Sequence, residues 1–246
     1  MGMTGRLRAL RILASVMAIA AVGFGLFTAV FGLVNPDQEP HAFHNAVVAS
    51  LLIVLSAPPV IAVARHPEAP TRPLVMLAAI GIAALATMAM SLTLDPFTMP
   101  FVVLVGVLWV LAPSHAEAFP VGRPSVVLLG LTLIVAVILV PYAVGQAELQ
   151  RTDHASEHAA FFHWVEMSFY AVAIPMLGLV AGLRPTAYPL AAWCAGIALV
   201  VLGIASLLLG EYASALPSLQ AIGVLAVGVA ILVAAGVWSR TTRPLA

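Results

Sequence analysis

Two pairs of histidines in this sequence have spacings that let two imidazoles reach one metal ion. His41 and His44 are three residues apart, and His154 and His158 are four apart. On a helix, both spacings place the two side chains on the same face. Neutral imidazole is a ligand of zinc, copper, iron and nickel. In each pair an alanine follows the first histidine, so neither pair is the HExxH pattern of zinc proteases.

A further histidine begins a polar stripe that enters an apolar segment. His163 and Glu166 are three residues apart and Tyr170 follows four later, so the three side chains lie within about 60° of one another on a helix. If that helix begins near Glu157, Glu166 lies about 13 Å further along its axis. An ionisable group at that depth in a membrane is costly and indicates function. We therefore predict that Glu166 is catalytic, as a proton acceptor.

These residues combine into one predicted metal site at the outer side of the membrane. The predicted ligands are His44, His158, His163 and Glu166. The predicted supporting residues are His41, Asp95, His154, Tyr170 and Glu211. Carboxylates beside imidazoles favour zinc or iron over copper. Such an ion would activate a water or act in redox chemistry, which makes a metal-dependent membrane enzyme the main hypothesis. The substrate, a small molecule or a lipid, stays open, as does turnover itself.

Several other interpretations stay open at this stage. His44 and His163 are alternative axial ligands of a haem b, which would make the chain a redox protein. Glu166, His163 and Tyr170 are alternatively a proton relay in a proton-coupled transporter. The same polar groups also suit a structural subunit, in which a buried hydrogen bond or ion pair only fixes the packing of helices.

The composition requires that these residues lie on membrane-spanning helices. Apolar residues make up 63% of the 246 residues, charged residues only 8%, and the mean hydropathy is +1.11. Stretches of about 20 apolar residues cross a bilayer as helices, since helices satisfy their own backbone hydrogen bonds. We predict an all-α, polytopic membrane protein with eight transmembrane helices. The predicted spans are Ile12–Val34, Ala42–Ala64, Leu74–Leu94, Phe101–Pro113, Ser125–Gln146, Glu157–Leu183, Leu190–Leu209 and Pro217–Trp238.

The arginines set the predicted orientation. With eight spans, nine of the ten basic residues fall on the side of the N-terminus and only Arg151 falls on the other. The positive-inside rule then places both termini in the cytoplasm and the histidine site outside. We expect a multi-pass protein of the plasma or inner membrane.

The two halves of the chain carry similar polar features in the same order. Phe43-His44 begins the second span as Phe162-His163 lies near the start of the sixth, each after an acidic, histidine-containing loop. We predict a single membrane domain, residues 1–246, made of two parallel four-helix repeats, 1–123 and 124–246. Spans two, three, six and seven should then meet at their outer ends.

Composition and residue types exclude several classes of protein. All ten basic residues are arginines, so no lysine can form the Schiff base of a retinal protein. Cys194 is the only cysteine, which excludes an intramolecular disulfide. The zero net charge gives no reason to expect nucleic acid as a partner; the expected partner is the lipid bilayer, and the oligomeric state stays open. Two four-helix halves resemble haem A synthases in architecture alone, and the histidines here fall on other helices.

Overall fold

The computed structural model describes residues 3–35, 41–114, 123–153, 155–184, 187–212 and 214–241. The chain is 84% helix, and no strand occurs within these ranges. The helices are α1 Met3–Val34, α2 Ala42–Arg65, α3 Thr71–Ser91, α4 Thr98–Leu111, α5 Val126–Thr152, α6 Glu157–Ala160, α7 His163–Leu183, α8 Pro189–Leu208 and α9 Ser218–Thr241.

Seven of these described helices are long and apolar enough to cross a membrane, namely α1, α2, α3, α5, α7, α8 and α9. The predicted class, an all-helical membrane protein, is therefore supported. The predicted fourth span corresponds to α4, which has only 14 residues and is too short to be counted by length. At 1.5 Å per residue it is about 21 Å long, compared with a hydrocarbon core of about 30 Å.

The helices form an inner group and an outer group. The apolar segments of α2, α3, α7 and α8 are between 61% and 67% buried inside the protein, whereas those of α1, α5 and α9 are 28% buried. Tyr170, the largest fully buried side chain, belongs to the main core around α7. Its hydroxyl donates to the carbonyl of Ala198 on α8 at 2.8 Å and pairs with the hydroxyl of Ser50 on α2 at 2.8 Å. One side chain thus ties three of the four inner helices together.

Helix α2 changes its winding in the middle. Its residues 42–50 and 57–65 are α-helical, but Leu51–Ser56 form a π-helix. The hydroxyl of Ser56 donates to the carbonyl of Leu51 at 2.9 Å, which satisfies an acceptor inside this segment. Such segments insert one extra residue into a helix and occur frequently at functional sites.

Helix α4 contacts α1 at one end of the bundle and approaches it again at the other. Arg6, near the start of α1, donates to the carbonyls of Val110 and Ala112 at the end of α4, at 2.8 and 3.2 Å. Phe97, which precedes α4, lines the same cleft as Phe31 near the end of α1. The short helix therefore extends alongside α1 between the two ends of the protein.

Candidate metal centre

Three histidines from two parts of the chain place their side chains around one point. His41, His158 and His163 each offer one ring nitrogen, and these atoms lie within 4.8 Å of one another. Their ring centres are 4.8, 4.9 and 5.3 Å apart, and the rings meet edge to face. In a tetrahedral site with each nitrogen about 2.1 Å from the ion, three imidazole rings would have centres about 5 Å apart. The arrangement is therefore able to hold a metal ion.

The closest contact within this triad joins two nitrogens. Nδ1 of His158 lies 3.1 Å from Nδ1 of His163. Two ligands of a tetrahedral ion, each about 2.1 Å from it, are separated by about 3.4 Å, so this distance is near that of a ligand pair. Nδ1 of His41 is buried without a hydrogen-bond partner. Leaving a buried nitrogen unpaired costs free energy, and a bond to a metal is one way to satisfy it.

A break in the predicted sixth span brings His158 and His163 together. In a continuous helix, two residues five apart would point about 140° away from each other. Instead α6 ends at Ala160, and Phe162 adopts a left-handed conformation with φ 62° and ψ 18° before α7 begins. In the described part of the chain, Leu92 and Phe162 adopt a backbone conformation with positive φ, which residues other than glycine rarely adopt. The turn at Phe162 folds the two imidazoles onto each other.

Two capping interactions hold α6 in place. The hydroxyl of Ser156 accepts a hydrogen bond from the backbone of Ala159 at 3.3 Å, as an N-cap residue does. Asp153 accepts one from the backbone of Ser156 at 3.2 Å, and hydrogen bonding by Ser156 lowers the pKa of the Asp153 carboxyl. Partial burial, with His41 nearby, lowers the pKa of His158 and favours the neutral imidazole that a metal requires.

His44 and Glu166 form a second pair directly beside the triad. Nε2 of His44 lies 2.9 Å from Oε2 of Glu166, and both side chains are largely buried. The ring of His44 also stacks on that of His163, with centres 3.6 Å apart and planes inclined by 22°. Asp95 interacts electrostatically with both members of this pair. The pair connects α2 to α7 at the level of the histidines.

The structure thus brings most of the predicted site together, with a different grouping. Two predicted ligands, His158 and His163, belong to the triad, and its third member is His41, which the sequence placed among the supporting residues. Ligation by His44 and by Glu166 stays a prediction. His154 lies outside the described residues.

The other supporting residues have distinct surroundings. Asp95 is fully buried and holds the start of α4, because its carboxylate accepts from the backbone of Phe97 at 2.8 Å and from the hydroxyl of Thr98. The Tyr170 hydroxyl is occupied by its hydrogen bonds with Ser50 and with the carbonyl of Ala198. Glu211 lies on an exposed turn. Asp95 and Glu211, which follow the third and the seventh predicted spans, therefore differ completely in burial.

A cleft of ≈ 170 Å³ on the side of α1 reaches one member of the triad, His163. His44, His163 and Glu166 form its polar end. Phenylalanines form most of the remaining wall: Phe24, Phe27, Phe31, Phe97 and Phe161. Each of these five rings is at least 37% exposed, which is unusual for so many large apolar groups unless lipid or a ligand covers them.

The haem alternative is not supported by this geometry. Two axial imidazoles approach the iron from opposite faces of the porphyrin, so they cannot lie face to face. His44 and His163 are stacked directly on each other.

No protein-family model, curated protein or solved structure matches this chain.

Proposed function

We propose that this chain is an integral membrane protein that binds one zinc or iron ion through His41, His158 and His163, as a metal-dependent membrane enzyme. The observation that carries the proposal is the convergence of three imidazole nitrogens within 4.8 Å. Three histidine ligands suit both metals and leave a coordination position open, which is the arrangement of catalytic rather than structural sites. A bound ion would supply Lewis-acid or redox chemistry at the end of the cleft.

Glu166 is the proton acceptor in this proposal. It lies one helical turn beyond His163 on α7, its carboxylate lines the cleft, and His44 holds one of its oxygens at 2.9 Å. A carboxylate fixed in this way is able to take a proton from a group bound in the cleft. His44 acts as its positioning residue, because it contacts both Glu166 and the ring of His163.

We also propose that α4 is an eighth crossing and that both termini face the cytoplasm. The contacts of Arg6 with the end of α4, and the shared cleft at its start, support a helix that extends between the two ends of the bundle. An even number of crossings gathers nine arginines at the end away from the histidines, which agrees with the positive-inside rule.

Metal analysis of purified protein tests the metal site. The protein is purified without added metal through a tag that contains no histidine, and its zinc, iron and copper are measured by elemental analysis. We expect about one zinc or iron per chain, since a triad with neutral imidazoles forms one site. Visible absorption of the same sample should show no Soret band.

Variants of the triad decide whether the ion is bound where we propose. His158→Ala and His163→Ala should lose the ion, because either change leaves only two ligands. His66→Ala is the matched control, since His66 is exposed on a loop beside Glu68, outside the triad. Metal-free wild-type protein, or equal metal loss in the control, would contradict the proposal and favour a structural subunit.

A further inference from the structure

The cleft at the metal centre continues into a long groove beside α2. A second space of ≈ 90 Å³ shares Phe24, Phe97 and Glu166 with the cleft. A third space of ≈ 240 Å³ shares Phe24, Ser56 and Phe101 with the second. Neighbouring spaces have wall residues in common, so the three spaces follow one another between α1 and α4, with α2 along their side. Together they are named the α1–α4 groove.

The far part of the α1–α4 groove offers nothing to a polar ligand. Its wall consists of apolar residues apart from Ser56: Met17, Ala20, Ala21, Phe24, Leu52, Val60, Phe101 and Leu104. The hydroxyl of Ser56 already donates to the carbonyl of Leu51. A group in this part can gain only from the removal of apolar surface and from close packing. Hydrocarbon is the chemistry that fits.

The length of the groove matches one leaflet of a bilayer. Along α2 the apolar part of the groove extends from Val48 to Val60, which is about 18 Å at 1.5 Å per residue. Half of the hydrocarbon core of a membrane is about 15 Å. The polar end lies at the histidines, near the starts of α2 and α7, and the apolar end lies beside Met17 and Leu104, near the middle of α1 and α4. This is the order of head and tail in a lipid.

Local packing keeps the groove open on the side of α4. Helix α1 lies close against α2 at Gly25, where an added side-chain carbon would be 2.7 Å from Cγ1 of Ile53. Facing the groove, α1 instead presents the small side chains of Ala20 and Ala21. Helix α1 therefore packs closely against α2 and leaves space toward α4.

We propose that the α1–α4 groove binds the acyl chain of a membrane lipid, with the polar end of that lipid at His163 and Glu166. This inference rests on the proposed function, because it identifies acyl lipids as the substrate class of the metal centre. The groove opens sideways between α1 and α4, so a lipid of the outer leaflet enters it without leaving the membrane. The exposed phenylalanines around the cleft contact the part of the acyl chain next to the polar head of the lipid.

Photo-crosslinking with palmitic acid that carries a diazirine in mid-chain tests this binding. The full-length protein is placed in phosphatidylcholine nanodiscs, and labelled residues are identified by mass spectrometry. We expect labelling of Met17, Leu52 and Phe101 to saturate with probe concentration, because a groove holds one chain. Labelling of Ile19, which is 73% exposed on the outside of α1, should rise linearly.

Blocking variants provide the decisive comparison. Ala21→Phe and Leu104→Trp place a ring in the groove and should reduce its labelling at least about tenfold, since displacing two methylene groups already has that effect. Ile19→Phe, the control on the same helix, should leave it unchanged. Groove labelling that does not saturate, or that both blocking variants leave intact, would overturn the inference. A complete lack of groove labelling would also overturn it, and would favour a second copy of the protein as the partner that covers α1.

Metal content measured on the same samples separates the two proposals. The blocking variants should keep the metal of the wild-type protein, since Ala21 and Leu104 do not line the cleft that contains His163. Absence of saturable labelling in wild-type protein that holds its metal would overturn only the lipid inference. Saturable labelling in wild-type protein without metal would overturn only the metal centre.

Discussion

The two halves of the protein close their outer helices in different ways. In the second half, α9 has 24 residues and lies directly against α8. An added side-chain carbon at Gly203 would lie 2.7 Å from Leu225 and 2.9 Å from the carbonyl of Ala221, and one at Gly228 would lie 2.9 Å from the carbonyl of Gly196. Small residues that let helix backbones approach are the usual basis of tight packing in membranes.

In the first half, the corresponding helix is shorter and less closely packed. Helix α4 has 14 residues, and an added side-chain carbon at Gly106 would meet nothing within 4 Å. The space left beside it is the α1–α4 groove. One half therefore supplies a closed support, while the other half leaves a cleft open beside the candidate metal centre. His41 and His44 come from the open half, and His158, His163 and Glu166 come from the closed half.

The largest loss of stability should come from a substitution that forces α8 and α9 of the closed half apart. Gly203→Leu has no space beside the backbone of α9, so we expect a loss of about 3 kcal/mol in the free energy of unfolding, the upper range for overpacking. Gly106→Leu, the matched change in the open half, should alter stability little. Thermal unfolding in one detergent compares the two. Equal losses would show that the halves do not differ in packing.

The next effect separates the two acids that follow the third and the seventh predicted spans. Asp95→Ala leaves the backbone of Phe97 and the hydroxyl of Thr98 without their acceptor in a buried position, which should cost about 2 kcal/mol. Glu211→Ala changes an exposed residue and should stay within about 0.5 kcal/mol. Chemical or thermal unfolding of both variants measures this. Similar losses of stability in both variants would indicate that the two acids occupy equivalent positions, which their difference in burial argues against.

A third variant probes the contact that joins the halves. Glu166→Gln keeps an oxygen for His44 but removes a negative charge beside the proposed ion, so the fold should persist while metal affinity falls about tenfold, the lower range for groups that support ligands. Competition with a chelator measures the affinity, and thermal unfolding of the same preparation measures stability. Unchanged affinity with raised stability would leave Glu166 as a packing residue, because removing a buried charge often stabilises a protein.

The smallest effect on metal affinity concerns the left-handed turn at Phe162, directly before His163. Phe162→Ile places a β-branched side chain in a left-handed conformation, whereas Phe162→Asn tolerates it. Both variants lose the ring, so their difference reports on the backbone. We expect metal affinity to be lower in the isoleucine variant by at most about tenfold, the effect of 1.4 kcal/mol. The opposite order in a chelator titration would exclude the turn as the cause.

Much of the fold follows from the sequence because apolar length and charge placement are strong signals. The predicted second span, Ala42–Ala64, and the observed α2, Ala42–Arg65, differ by one residue. The prediction of seven of the spans agrees with helices that are able to cross a membrane. The eighth span and the repeats stay predictions, since α4 is shorter than a bilayer requires and the halves differ in burial and packing.

The details of the site were harder to predict, for identifiable reasons. The break before α7 occurs at Phe162, and a bulky residue gives no signal of a left-handed turn, which glycine or asparagine would have given. The sequence therefore predicted one continuous span and left His41 outside the ligand set. The α1–α4 groove depends on how two helices diverge, which no local pattern encodes. The histidine spacing was still sufficient to indicate where a cluster able to hold a metal ion occurs.

The π-helical segment of α2 determines which way the histidines at its start face. One extra residue in Leu51–Ser56 turns everything before it by about 100° relative to everything after it. The rotational phase of His41 and His44 is therefore set inside the membrane, two turns beyond His44. Deleting one residue there would restore regular winding and keep this phase, whereas regular α-helical winding of the full segment would turn both rings about 100° away from α7. In evolutionary terms, the wide turn accommodates one extra codon in an apolar helix and keeps the histidines of both halves at one candidate site.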